Sequence, residues 1–307
     1  MKLFNHLYDN YLITSANSIM HDPFRLHFLN NNSIKDVLNL KRNCDVQDEF
    51  IEIYTQWISS SKYNNLVGLD SFPNRYISLG VTQGIEDFLF YALKNNLRLR
   101  IFRGEYAYSR EISNINWVNQ CIYEGEPLAK GDCVIISTPF SATGNVHSQW
   151  NNLLDDCDKL KIPIFVDCAF YGTCYDINVD FNRPCIDTVA FSPTKGLNTG
   201  YFRTGMIFTK RSGTDCYLDN LMRHHHGIHL STFMATELMK NYGPDTIVDE
   251  YKLYQEQACE YYGLNPTNTV HLATTTNSNW NYFNRDGLIN RVCIRNAVSD
   301  LKKGTFK

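Results

Sequence analysis

Apolar side chains at Phe50, Ile53, Tyr54, Trp57 and Ile58 fall three and four residues apart, which predicts an amphipathic helix over 46–60 with one buried stripe. From residue 76 the pattern changes. Short apolar runs at 76–79, 97–102, 133–137, 162–166, 188–191 and 205–209 read as strands, with helical spacing over 83–94 and 150–160. Strands that are apolar along their length, not alternating, are buried on both faces. Interleaved with helices they predict an α/β fold: a mainly parallel sheet sandwiched by helices. After about residue 212 the pattern turns helical (232–241, 247–262) and closes on two strand-like runs, 270–274 and 289–294. The expected division is an N-terminal segment (1–45) belonging to a small domain, a large domain (46–212), and a compressed α+β C-terminal small domain (213–307).

Composition narrows the function class. Of 307 residues 43% are apolar and 20% charged, with a net charge of −3. That is enough apolar material for a full core, and no basic excess calls for a nucleic-acid partner. No apolar run is long enough to predict a membrane span, and the first residues lack the apolar stretch of a secretory signal. Ten cysteines without a Cys-x-x-Cys pair read as buried, reduced thiols, so a cytoplasmic location is expected and a zinc site is not. The 19 tyrosines and 18 phenylalanines suggest aromatic-lined pockets.

In an open parallel sheet, ligands bind beyond the carboxyl ends of the strands. Three segments stand there. Gly80-Val81-Thr82-Gln83-Gly84 leads directly into a helix, whose N-terminus suits a phosphate. Asp167 follows the run 162–166. Ser192-Pro193-Thr194-Lys195 follows 188–191, with Arg203 eight residues beyond Lys195. Taken singly, each has an ordinary reading as a cap or a turn. A lysine between a buried strand and a Gly-rich segment is unusual, though, because lysines mostly extend into water. A desolvated one is a candidate Schiff-base amine.

With these residues the sequence resembles the aspartate-aminotransferase superfamily, the fold-type-I pyridoxal-phosphate enzymes, well over roughly 60–210 and loosely beyond. The turn at 80–84 is similar to that family's phosphate-binding turn. Arg103-Gly104-Glu105-Tyr106 sits where the family carries its ring-stacking aromatic. Pro139-Phe140-Ser141-Ala142-Thr143-Gly144 is similar to its Pro-Asn-Asn-Pro-Thr-Gly. Asp167-Cys168-Ala169-Phe170-Tyr171-Gly172 is similar to its Asp-Ser-Ala-Tyr-Gln-Gly, and Ser192-x-x-Lys195 with Arg203 matches its Schiff-base lysine and phosphate arginine.

The resemblance implies a seven-strand-type sheet, the cofactor pyridoxal phosphate, and a large domain that binds it. It implies that Lys195 holds the cofactor as a Schiff base and moves the α-proton, and that Asp167 keeps the pyridine nitrogen protonated. Val81, Thr82, Ser192 and Arg203 would anchor the phosphate, and Tyr106 would stack on the ring. Tyr63 would reach across a homodimer to the neighbour's phosphate. Arg291 would grip the substrate carboxylate, with Arg295 as its rival on the same strand parity. Ser141 and Phe170 depart from the family, standing where an Asn and a Tyr donate to the cofactor's O3′.

The activity implied is amino-group exchange between an amino acid and a 2-oxo acid. The alternatives are a lyase, a decarboxylase or a C–C or C–X bond-forming enzyme on the same fold, and, from another class, a non-catalytic binding protein. Two features stay outside this scheme. His224-His225-His226-Gly227 reads as surface, or as a loop at the site entrance. Arg98, Arg100, Arg103 and Arg110 read as a solvated basic face, with Arg110 near enough to Tyr106 to meet an acidic substrate.

Overall fold

The computed structural model describes residues 12–14, 16, 43–114, 116–200, 202–224 and 229–306, so most of the segment 1–45 lies outside it. The first described helix, α1 (Asn43–Ser59), buries the anticipated stripe: Phe50, Tyr54, Trp57 and Ile58 are all within the main core.

Two short strands follow, β1 (Asn65–Val67) and β2 (Asn74–Ser78). The alternation then runs α2 (Val81–Lys94), β3 (Arg98–Arg100), α3 (Ala107–Ser113), β4 (Asp132–Ser137), α4 (Trp150–Leu160), β5 (Ile164–Cys168), β6 (Asn178–Asp180), β7 (Ile186–Phe191), α5 (Thr194–Leu197) and β8 (Gly205–Thr209). The helices α6 (Tyr217–Arg223), α7 (His229–Asn241) and α8 (Thr246–Tyr262) come next. Strands β9 (Asn265–Pro266), β10 (Leu272–Thr275), β11 (Asn284–Arg285) and β12 (Ile289–Cys293) lead to α9 (Arg295–Lys303).

The central sheet has the order β2-β8-β7-β5-β4-β3, six strands among the described residues where seven were expected. β7, β5, β4 and β3 pair in parallel, while β8 runs antiparallel to both β7 and β2. Five strands therefore point one way, and the N-terminal end of β8 lies beside their C-terminal ends. The strands β4, β5 and β8 are buried at every position, which is why they read as unbroken apolar runs. α2 covers one face, setting Phe88 against Phe165 with ring centroids 5.6 Å apart. On the other face α1 packs on α7, and the Trp57 indole donates to the Tyr242 carbonyl at 2.7 Å. A four-stranded antiparallel sheet, β11-β12-β10-β9, forms the C-terminal layer.

The arginine cluster is not a solvated face. Arg100 is fully buried; it donates to Asp132 at 2.8 Å and to the carbonyls of Gln120, Pro127 and Glu126. Arg98 pairs with Asp132 and Glu126, Arg103 with Glu124 and Arg110 with Asp286. Arg295 begins α9 instead of extending β12, so it does not share a strand face with Arg291. Removing Arg100 would leave Asp132, only 2% exposed, short of its buried partner. Arg100→Ala should therefore cost roughly 3–5 kcal/mol in urea denaturation. Arg98→Ala, at a rim position, should cost about 1 kcal/mol or less. Equal losses would contradict this account of the pair.

Candidate active site

The strand directions deliver one residue set after another to the same edge. Behind β2, Gly80 opens α2 in a left-handed conformation (φ 97°) that favours glycine. The Gln83 side chain accepts from the Leu79 N–H at 2.7 Å and closes the turn. Gly205 at the start of β8 makes that turn possible: a Cβ there would come within 2.7 Å of Gly80 Cα and 2.6 Å of the Phe191 carbonyl. Arg203, two residues earlier, reaches back over the turn and donates to the Leu79 carbonyl at 3.3 Å. Ser192 follows β7 and donates to Thr194 Oγ1 at 2.9 Å.

Asp167 is the penultimate residue of β5, one residue inside the strand where the sequence put it after the end. It is 5% exposed, and among the described residues its carboxylate accepts one hydrogen bond, from the Ala169 N–H at 2.8 Å. Burial pushes its pKa up to about 6, with the Ala169 bond and the Lys195 charge opposing. Lys195 lies in the first turn of α5, not in a loop. Its ammonium donates to the Ala16 carbonyl. Burial pushes its pKa down; Arg203 and Arg295 add to that shift, while Cys293 and Asp167 oppose it.

Asp167, Ser192, Lys195 and Arg203 face one cavity of about 450 Å³. Its walls also include Val81, Thr82, Tyr106, Ser141, Phe170 and Arg291. Tyr106 is 41% exposed, and burial of the rest of its ring pushes the phenol pKa up. Arg291 is buried in β12, donating to the Ser141 carbonyl at 2.6 Å and to the Thr14 carbonyl at 2.9 Å.

No family model matches this chain, and no curated relative does. Solved structures match it along most of its length. A histidinol-phosphate aminotransferase from Clostridium acetobutylicum superposes with a TM-score of 0.61 at 15% identity, over 94% of this chain and 98% of that one. A PLP-bound C–S lyase from Staphylococcus hominis gives 0.57 at 14% identity, over 85% and 82%. An L-threonine-O-3-phosphate decarboxylase from Porphyromonas gingivalis gives 0.59 at 10% identity, over 96% and 98%. The fold is that of the fold-type-I pyridoxal-phosphate enzymes.

On this fold-type-I frame, ten of the eleven residues singled out from the sequence line the cavity. The exception is Tyr63, whose hydroxyl donates to Asp249 at 2.7 Å outside it. Tyr171, next to Phe170, is buried, donates to the Ile58 carbonyl and does not line the cavity. Of the histidine run, His224 is exposed and His225 and His226 lie outside the described residues.

Two charged residues at the cavity or just behind it were not foreseen. Glu105, 5% exposed, accepts from the N–H groups of Ser137 (2.7 Å) and Tyr106 (2.9 Å) and from the Ser137 hydroxyl. Burial raises its pKa to about 7. Ser137 Oγ in turn accepts from the Ser141 N–H at 2.8 Å, so Glu105 ties together the backbones that present Tyr106 and Ser141. Arg285, on β11, also faces the cavity. The Asp286-Gly287 pair after it, both at positive φ, is a hairpin signal that would have set Arg285 beside the Arg291 strand.

The Asp167 shift has a measurable sign. Its folded pKa of about 6 lies above the ordinary 3.8. The ligand-free fold therefore holds this proton more tightly than the unfolded chain does. That stabilisation is present below about pH 4 and lost as pH rises through about 6. The stability of Asp167→Asn relative to the parent should grow over this window by roughly 2–3 kcal/mol and then level off. Urea denaturation at a series of pH values measures it, and a difference that stays flat with pH would contradict a desolvated carboxylate.

Proposed function

We propose that this chain is a pyridoxal-phosphate enzyme acting at the α-carbon of an amino acid, exchanging amino groups between an amino acid and a 2-oxo acid. The observation that carries the reading is the convergence of Lys195, Asp167, Thr82, Ser192 and Arg203 on one cavity.

The residues fit the cofactor. A Cβ at Gly80 would stand 3.1 Å from Arg203 Nη2 and 3.4 Å from Ser192 Oγ. A guanidinium, a hydroxyl and a helix N-terminus thus face one point, which is a donor set for a phosphate dianion. Val81 and Thr82, in the first turn of α2, border it. Asp167 has spare acceptor capacity for a pyridinium N–H, and a cation there would pull its pKa back down. Tyr106 supplies an aromatic face beside Thr82, Phe170 lines the cavity without offering a donor, and Ser141 is the one of the two departures from the family that keeps a hydroxyl.

When bound, pyridoxal phosphate supplies an electron sink for the bonds at the substrate's α-carbon. The chain's own groups do the rest. Lys195, whose amine burial shifts toward the neutral form, would hold the cofactor and move the α-proton. Asp167 would keep the ring nitrogen protonated, and Arg291 would orient the α-carboxylate. Asp167 and Arg291 are themselves buried, which strengthens the charge contacts each would make.

The reading includes a homodimer, in which Tyr63, outside its own chain's cavity, serves the neighbouring phosphate. It includes a cytoplasmic location, which suits the nine cysteines from Cys121 to Cys293, all of them buried thiols. No described helix is long and apolar enough to cross a membrane.

The test is mass spectrometry of products from the cofactor-loaded protein and pooled amino acids, with and without 2-oxo acids. A new amino acid formed only with the oxo acid is expected. Ammonia or CO₂ released without one would replace transamination by a lyase or decarboxylase reaction. Asp167→Ala should retain the cofactor yet lose roughly two or more orders of magnitude in turnover. An Asp167→Ala protein as active as the parent would overturn the role given to this carboxylate.

A further inference from the structure

Three donors meet on the buried carboxylate of Glu105, and no acceptor does. The Ser137 N–H donates to Oε2 at 2.7 Å and the Tyr106 N–H to Oε1 at 2.9 Å; the Ser137 hydroxyl also donates to Oε1. The oxygen of that hydroxyl accepts from the Ser141 N–H at 2.8 Å. A protonated Glu105 would have to donate to the hydroxyl, whose own hydrogen would then need another acceptor, and among the described residues it bonds none. An ionised carboxylate, which accepts and never donates, completes the set. No cation pairs with Glu105 among the described residues, so these bonds alone oppose its burial. Its pKa of about 7 is that balance: burial raises it most, the Ser137 and Tyr106 bonds lower it, and the charge of Asp167 raises it.

Glu105 stands behind the cavity wall, while Tyr106 and Ser141, at the far ends of its bonds, line it. Ser137 on β4 is the register partner of Asp167 on β5, so both carboxylates adjoin one residue. From β12, Arg291 holds the other side of Ser141 through its carbonyl. A cation brought to Asp167 cancels the repulsion that Asp167 exerts on Glu105, and so favours the ionised, fully bonded form. The coupling is reciprocal: ionising Glu105 favours a cation at Asp167.

We propose that Glu105 is a positioning residue, a clamp that fixes the Tyr106 ring and the Ser141 backbone around the cofactor only while it is ionised, and that a ring nitrogen bound at Asp167 tightens it. The proposal rests on the cofactor reading above for what fills the cavity.

Residue-resolved amide hydrogen exchange on the cofactor-free protein, at about pH 8.5, reads the clamp itself. Glu105→Gln puts a donor among donors and should speed exchange at Tyr106 and Ser141 by about tenfold relative to the amides of β5. Ser137→Ala cuts one arm, so Ser141 should exchange faster and Tyr106 as in the parent; a general loosening would move both. The parent brought to about pH 6 should show the Glu105→Gln pattern against the same β5 reference, a comparison that needs no variant to fold. Titration with pyridoxal phosphate, followed by absorbance, reads the coupling. The parent should bind about tenfold more tightly than Glu105→Gln at about pH 8.5, and the ratio should shrink toward one as pH falls through about 7. Exchange at Tyr106 and Ser141 that Glu105→Gln leaves unchanged would overturn the proposal, and so would an affinity ratio that stays constant with pH. If the protein takes up no pyridoxal phosphate at any pH, the cofactor reading falls, and the exchange measurement still decides whether Glu105 is a clamp.

Discussion

A single reversed strand governs the site. β8 runs against its neighbours, so its first residue meets the last residues of β2 and β7, with Gly205 opposite Ser78 and Met206 opposite both Ile77 and Phe191. That reversal brings Arg203 to the edge where the parallel strands release Ser137, Asp167 and Ser192. It requires glycine at 205, since the backbone of Gly80 lies against it. A parallel β8 would put Arg203 at the far end of the sheet. The cradle over Gly80 is thus a property of strand direction, and the sheet's rigidity is what holds its donors in place.

The charges at this edge are costly to the fold taken alone. A carboxylate and an amine are withdrawn from water, and both are shifted toward their neutral forms. Behind them Glu105 is buried as well, bonded to the two backbones that flank the cavity. Strain of this kind concentrates where a protein binds or transforms something, because a bound partner of complementary charge reverses the cost. The neighbouring structures include an aminotransferase, a C–S lyase and a decarboxylase on one fold, so the fold leaves the reaction open and the side chains lining the cavity must select it.

Much of this was legible in the sequence because the signals were local. Unbroken apolar runs followed by Gly, Asp or Lys locate a strand and what stands at its end, and Thr82, Asp167, Ser192, Lys195 and Arg203, picked that way, face one cavity; Val81, Tyr106, Ser141, Phe170 and Arg291, which line it too, were reached through the family resemblance. What was not legible depends on distant partners. Arg100 reads as surface until the parallel pairing of β3 with β4 sets it against Asp132, which is far away in sequence. The orientation of β8 cannot be told from its apolar run, because strands buried on both faces look alike whichever way they run. Arg295 has the spacing of a strand residue, but the chain turns helical at that point. Glu105 gives no local sign of burial; its three donors come from Tyr106 beside it and from Ser137 on β4.

The central claim is that Lys195 holds pyridoxal phosphate in the cavity faced by Asp167 and Arg203. Borohydride reduction of protein incubated with the cofactor, followed by proteolysis and mass spectrometry of the peptides, tests it directly. The account predicts one modified site, on the peptide containing Lys195, and no stable visible absorbance from a Lys195→Ala protein. Modification at another lysine, or none at all, would contradict it.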